Sequence, residues 1–170
     1  MLILEITSDI IKRLKGTLHV CITFSDAEVY RETSSFMPYS YFCLGLDKNG
    51  DMVSEEYSVG PNWPRSKNGE MLFLEEDLSP YEDQFIINLD KIPTEIQELL
   101  FIVVRHLNEK SDHLVTVSTM GRTLFNQRFP NIFCDVSDIR SCKLFSIKYS
   151  DGWMLERINR LLDIEELIRE

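Results

Sequence analysis

The feature that most constrains this chain is its rhythm: short apolar or alternating runs, each cut off by turn chemistry. TLHVCITF (Thr17 to Phe24), SYFCLGL (Ser40 to Leu46), QFIINL (Gln84 to Leu89), HLVTVST, TLFNQRF and KLFSIKY all have the length of strands. Alternation sends successive side chains to opposite faces of a pleated sheet, and β-branched and aromatic residues suit that surface. FIVVRH does not alternate, as expected of a strand buried on both faces. Turn signals separate the runs: Asn49-Gly50 in DKNGD, a second Asn-Gly in GPNWPRSKNG, Met120-Gly121, and Ser150-Asp151-Gly152. Roughly ten strands at short spacing predict an all-β sandwich of two packed sheets.

The remaining segments complete that expectation. LILEI (Leu2 to Ile6) reads as the opening strand, joined to Thr17 by a charged loop through Lys15 and Gly16. SDAEVYRETSSFMP reads as a loop or irregular strand, MVSEEYSV as the strand returning from DKNGD, and EMLFLE as another strand. DKIPTEIQELL predicts a short helical turn after Pro93, with Pro93 at a first helical position and Thr94 as a cap. RINRLLDIEELIRE predicts a strand through about Ile158 and then an amphipathic helix, with Ile158, Leu161, Leu162, Ile164, Leu167 and Ile168 forming an apolar stripe. The expected organisation is a sandwich domain over 1–158 and a helical tail over 159–170.

Composition bounds the function. At 170 residues and 44% hydrophobic, the chain can bury one substantial core without cross-links. Its 18 basic and 28 acidic residues give a net charge of −10, which repels phosphate backbones. Nucleic acid and anionic membranes are therefore not expected partners, whereas cations and basic protein surfaces are compatible. Cys21, Cys43, Cys134 and Cys142 form no CxxC pair and read as free structural thiols, which suits a reducing cytosol. The N-terminal stretch has no apolar core of signal-peptide length, and the longest apolar run, Leu99 to Val104, is too short to span a bilayer. A cytoplasmic protein without membrane insertion is expected.

Motifs for catalysis are sparse. There is no GxSxG, GxGxxG or GxxxxGK. His19, His106 and His113 fall within or beside strands, as structural residues do. The expectation is a protein that is not an enzyme. The alternative is a hydrolase whose site lies near Trp63 and the acidic loop. DKNGD shares its first residues with a calcium-binding EF-hand loop but lacks the terminal Glu, so it reads as a hairpin turn. EEDLSPYED is the unusual stretch: Glu75, Glu76, Asp77, Glu82 and Asp83 stand within nine residues, and no Lys or Arg occurs from Glu70 to Asp90. Such a loop serves as a cation cage, an acidic face for a partner, or a solvated connection. Calcium takes six to eight oxygens, mostly carboxylate and carbonyl.

At QFIINLDKIPTEIQELLFIVV the chain resembles the tellurium-resistance and stress-protein family (TerD-like), which carries a strand, a "vdLskvP" turn, a short helix and a β-branched strand in this order. Ile87-Asn88-Leu89-Asp90-Lys91-Ile92-Pro93 carries the match. LEITSDIIKRLKGTLHVCITFSDA is similar to the family's opening, with Phe24-Ser25-Asp26 where Trp-Asp is usual. SYFCLGLDKNGDMVSEEYSV resembles its central hairpin. NWPRSKNGEMLFLEED resembles a further stretch through Asn62, Ser66 and Gly69, and LFSIKYSDGWMLERI the closing hairpin. The likeness runs in order over about 3–158.

The resemblance implies a two-sheet sandwich, no established catalytic activity, a stress-response setting, and calcium bound through acidic loops at one end. Its ligands in this chain would be Asp77, Glu82 and Asp83, with Asp26 contributing from the neighbouring loop. Two departures qualify that. The family's "DLD" triplet is replaced by Met37-Pro38-Tyr39-Ser40, and the glycines of its second loop by Leu78, Ser79, Pro80 and Tyr81. Affinity follows the number of charged ligands, so a degenerate calcium site, weak or empty, is expected. The runner-up is a protein whose loop 75–83 still holds calcium. The expected role is a binding module for a protein partner, or for a second copy through the C-terminal helix.

Overall fold

The computed structural model describes residues 10–27, 37–74, 82–107, 110–133 and 139–163. Among these residues eleven strands are present: β1 (Ile10–Leu14), β2 (Thr17–Phe24), β3 (Tyr39–Leu46), β4 (Ser58–Val59), β5 (Met71–Phe73), β6 (Asp83–Asn88), β7 (Glu98–Arg105), β8 (His113–Thr119), β9 (Arg122–Phe129), β10 (Ser141–Tyr149) and β11 (Trp153–Leu162). They form a six-stranded sheet in the order β1-β11-β10-β7-β3-β4 and a five-stranded sheet in the order β5-β6-β2-β8-β9. Every pairing is antiparallel. The all-β sandwich is as expected.

Alternation explains which face each strand buries. Along β2, Leu18, Val20, Ile22 and Phe24 are buried, while Thr17, His19, Cys21 and Thr23 face outward. The two inner faces share one core, crossed by an aromatic spine. Phe101 stacks on Phe145 at 4.4 Å within the six-stranded sheet, and Phe85 of the opposite sheet meets Phe101 edge-on at 5.4 Å. A second apolar cluster, Leu44, Leu46, Leu100, Ile102 and Leu162, lies on the outer face of the six-stranded sheet. That accounts for the unbroken apolar run of β7, whose two faces serve different clusters.

Four local expectations need correction. Ile10–Leu14 is a strand, not a loop; it pairs with β11 through an irregular register around Lys12 and Arg13, which broke the sequence alternation. The returning strand MVSEEYSV is reduced to a bridge at Met52, a 3-10 turn over Glu55–Tyr57 and the short β4. The helical turn lies over Leu89–Lys91, before Pro93, and Pro93 instead opens a turn closed by Ile96 N–H to its carbonyl at 3.0 Å. Finally, β11 runs through the expected 158/159 boundary to Leu162, so residues 159–162 are strand and not helix. Cys142 pairs with Leu161 and Ser141 with Leu162, and the burial of Leu162 in the outer cluster outweighs the local helix preference. Apart from Ala27, which is helical, no α-helix occurs among the described residues. LILEI, Cys134 and residues 164–170 lie outside the described residues.

The sandwich has two unlike ends. Tight turns at Lys15-Gly16, Asp47 to Asp51, Met120-Gly121 and Ser150 to Gly152 close one end, together with the Leu89 to Gln97 connection. Met120 and Gly121 both take positive φ (48° and 77°), the backbone of a tight hairpin turn. At the other end Phe24, Tyr39, Asp83, Arg105, His113 and Phe129 terminate their strands, and the longer connections leave from there.

Candidate functional site

The end with the longer connections carries the acidic residues singled out above. Asp83 opens β6 opposite Ile22. Because Ile22 points inward, Asp83 faces the sandwich interior at its mouth. There it lines a cavity of about 230 Å³ with Thr23, Phe24, Tyr39, Tyr41 and Phe73. Glu82, one residue earlier, takes the opposite face. It accepts a hydrogen bond from the Cys21 thiol on the outer surface, where burial first and then the Glu82 charge push the thiol up to about 11. The two carboxylates are therefore separated, Asp83 inward on β6 and Glu82 outward just before it.

Asp26 is exposed and accepts a hydrogen bond from Ser111 Oγ at 3.2 Å. Asp112, which sequence reasoning did not single out, caps the adjacent loop: its carboxylate accepts the Asn131 N–H at 3.0 Å and pairs with Arg128 at 3.4 Å. Asp77 lies outside the described residues. Among the described residues no three His, Cys, Asp or Glu side chains converge to hold a metal. Trp63 is exposed on a tight turn held by reciprocal backbone bonds with Gly60, and Pro61 of that turn lines the Asp83 cavity.

Behind the cavity wall sits an aromatic and polar cluster absent from the sequence-based expectations. His113 is 2% exposed, meets Tyr39 edge-on at 4.7 Å, and lies 2.8 Å through Nδ1 from the Tyr41 hydroxyl. Tyr39 in turn accepts the Ser111 N–H at 3.1 Å, and the Arg105 guanidinium lies 4.8 Å over the Phe133 ring. Burial pushes His113 down to about 4, against a partial upward pull from Asp112. A signal was available: in HLVTVST, His113 is in phase with Val115 and Val117, so alternation points it inward.

The other histidines keep structural company. His19 Nε2 lies 2.8 Å from Gln84 Oε1 on the outer face, as an outward strand residue should. His106 Nε2 lies 2.7 Å from Ser40 Oγ, a nucleophile and base by type. Ser40, however, lies within the regular β3–β7 register, not at the sharp turn that presents a hydrolase nucleophile. DKNGD is a hairpin turn, with Gly50 N–H donating to Asp47 O at 3.1 Å and Asn49 N–H to Asp47 Oδ1 at 2.8 Å.

Comparison with known proteins agrees on the fold. One similar solved structure is a homologue of telluride resistance protein (TerD) from Streptomyces coelicolor A3(2), 14% identical, with a TM-score of 0.60 over 88% of this chain and 92% of that one. Another is SAV2460, a protein of unknown function, 11% identical, with a TM-score of 0.62 over 88% of this chain and 91% of that one. No protein-family model and no curated protein matches the sequence. The chain thus has a TerD-like fold. Among the described residues no helix is long and apolar enough to cross a membrane.

Proposed function

We propose that this chain is a non-enzymatic binding module of the TerD-like stress-response type whose calcium site is degenerate. The observation that carries the reading is the divergence of its carboxylates. Asp83 faces the cavity, Glu82 is bonded to Cys21 on the other face, and Asp26 is held by Ser111. Calcium takes six to eight oxygens around one point, and the reading is supported by the finding that no three His, Cys, Asp or Glu side chains converge among the described residues. The acidic end then acts through its charge, as a surface for a partner that carries basic residues. The likeness to the TerD homologue supports the setting by fold alone.

Melting curves with chelator and with calcium, on the intact chain and on Asp83→Asn, test the reading. A ligand that binds the native state raises the midpoint by mass action. The expected result is no shift beyond about 1 °C at roughly millimolar calcium. A rise that disappears in Asp83→Asn would replace this reading with a calcium-responsive module. A panel of generic esters and phosphoesters tests the other half. No turnover is expected, and turnover lost on Glu82→Gln would establish a hydrolase.

A further inference from the structure

The closed end of the sandwich holds a groove that the acidic end does not explain. It has a volume of about 490 Å³ and runs between the β1 terminus, the Leu89 to Gln97 connection and the start of β11. Its apolar walls are Leu14, Ile92, Pro93, Ile96 and the ring pair Tyr149–Trp153, set edge-on at 5.3 Å. The size and lining are those of a small-molecule site, apolar with a few polar groups at the mouth. The walls are braced: Leu89 N–H donates to Gly16 O at 2.9 Å, Tyr149 N–H to Gln97 O at 2.8 Å, and Gln97 Nε2 to Thr94 O at 2.7 Å. A braced groove loses little freedom when it is filled.

Charge at the mouth has the opposite sign to the molecule. Arg13 and Lys15 both line the groove, against one carboxylate, Asp90, in a chain of net charge −10. Neither Arg13 nor Lys15 makes an ion pair among the described residues. The backbone at Arg13 is also special. Ile11 pairs with Leu155 and Leu14 with Trp153, so two β1 residues, Lys12 and Arg13, oppose the single Met154. Arg13 takes φ +61° in this bulge, a left-handed backbone disfavoured for a non-glycine residue. Bulges re-aim side chains, and this one sets a guanidinium at the rim of an aromatic groove. Guanidinium is the side chain best suited to a planar carboxylate.

We infer that this groove binds a small organic anion, an aromatic or other flat apolar body bearing a carboxylate. The body lies against Trp153, Tyr149, Ile92 and Pro93, and the acid group meets Arg13 and Lys15. This site is independent of the calcium question and sits at the opposite end of the sandwich.

The probe is 1-naphthoate, followed through the indole N–H resonances of the full-length protein. The chain has two tryptophans, and Trp63→Phe identifies the signal of Trp153. Saturable movement of the Trp153 signal is expected, with a dissociation constant below about 1 mM. The double variant Arg13→Gln, Lys15→Gln should weaken binding roughly tenfold while the signals stay dispersed. The neutral analogue 1-naphthalenemethanol should bind more weakly than naphthoate to the native chain and equally to the double variant. Should the double variant not fold, Lys15→Gln alone and the neutral analogue on native protein carry the test. An unmoved Trp153 signal overturns the inference, and so does equal binding of acid and alcohol by the native chain.

Discussion

His113 Nδ1 lies 2.8 Å from the Tyr41 hydroxyl, while its Nε2 is sealed in the core without a hydrogen-bond partner among the described residues. A proton on that ring would leave a charge cut off from water, and burial outweighs the pull of Asp112 to hold its pKa near 4 against an ordinary 6.5. The folded value is the lower one, so between pH 6.5 and 4 the unfolded chain binds the extra proton. Stability from the neutral ring is complete above about pH 6.5 and is lost as pH falls toward 4, by roughly 3 kcal/mol. Urea unfolding from pH 7 to 4 should show that decline. In His113→Leu the absolute stability is lower, but its fall over the same range should be shallower. Parallel pH profiles for the two proteins would rule out His113 as the source.

Phe101 should be the most costly single truncation in the core. Its ring stacks on Phe145 with planes 10° apart and receives Phe85 from the facing sheet, so one side chain couples both layers. Phe101→Ala is expected to cost about 3–5 kcal/mol, read from the urea midpoint, because neither sheet can close the void alone. Phe101→Leu should cost less than half of that. A loss below about 1 kcal/mol for the alanine variant would mean that the sheets are not joined through this spine.

A glycine on the edge of the six-stranded sheet makes a sharper test of packing. A Cβ at Gly60 would lie 2.3 Å from Cδ1 of Phe42, so the ring lies directly on the backbone. Gly60→Ala should cost about 1–3 kcal/mol. In a Phe42→Ala background most of that cost should vanish, since the clash has one owner. Gly50→Ala is the contrast: it meets nothing within 4 Å but keeps φ +83°, so it should cost only about 1 kcal/mol and be indifferent to Phe42. Equal Gly60→Ala costs with and without the Phe42 ring would contradict the packing.

These contacts show which parts of the molecule were legible in the sequence. Strands with clean alternation, such as His113–Thr119 and Thr17–Phe24, could be read directly because period two needs one buried face. Lys12 and Arg13 concealed β1, since a bulge adds a residue and puts the alternation out of phase. At the C-terminal edge Leu161 and Leu162 favour a helix by local preference, and only the long-range pairing with Cys142 and Ser141 makes them strand. The site was half legible. Clustered carboxylates mark the acidic end, but composition does not tell which face each one takes. Alternation turns Asp83 inward, and the contact with Cys21 holds Glu82 on the other face.

That separation can be tested through a thiol. Cys21 is held near 11 by burial and by the Glu82 charge, so at pH 8 only about one thiol in a thousand is ionised. Cys142 is pushed up to about 12 and Cys43 well above its ordinary value, both by burial. In a Cys134→Ser background the chain should react slowly with iodoacetamide. Glu82→Gln removes the negative neighbour, lowers the Cys21 pKa and should speed its alkylation severalfold at pH 8, measured by mass on the Cys21 peptide. The sign follows from charge: a carboxylate beside a thiol disfavours the thiolate, which is the reacting form. Unchanged rates from pH 7 to 10 would mean that Glu82 does not rest on Cys21. Glu82 would then be available beside Asp83 at the cavity, and the case for a working calcium site would have to be reopened on that side chain.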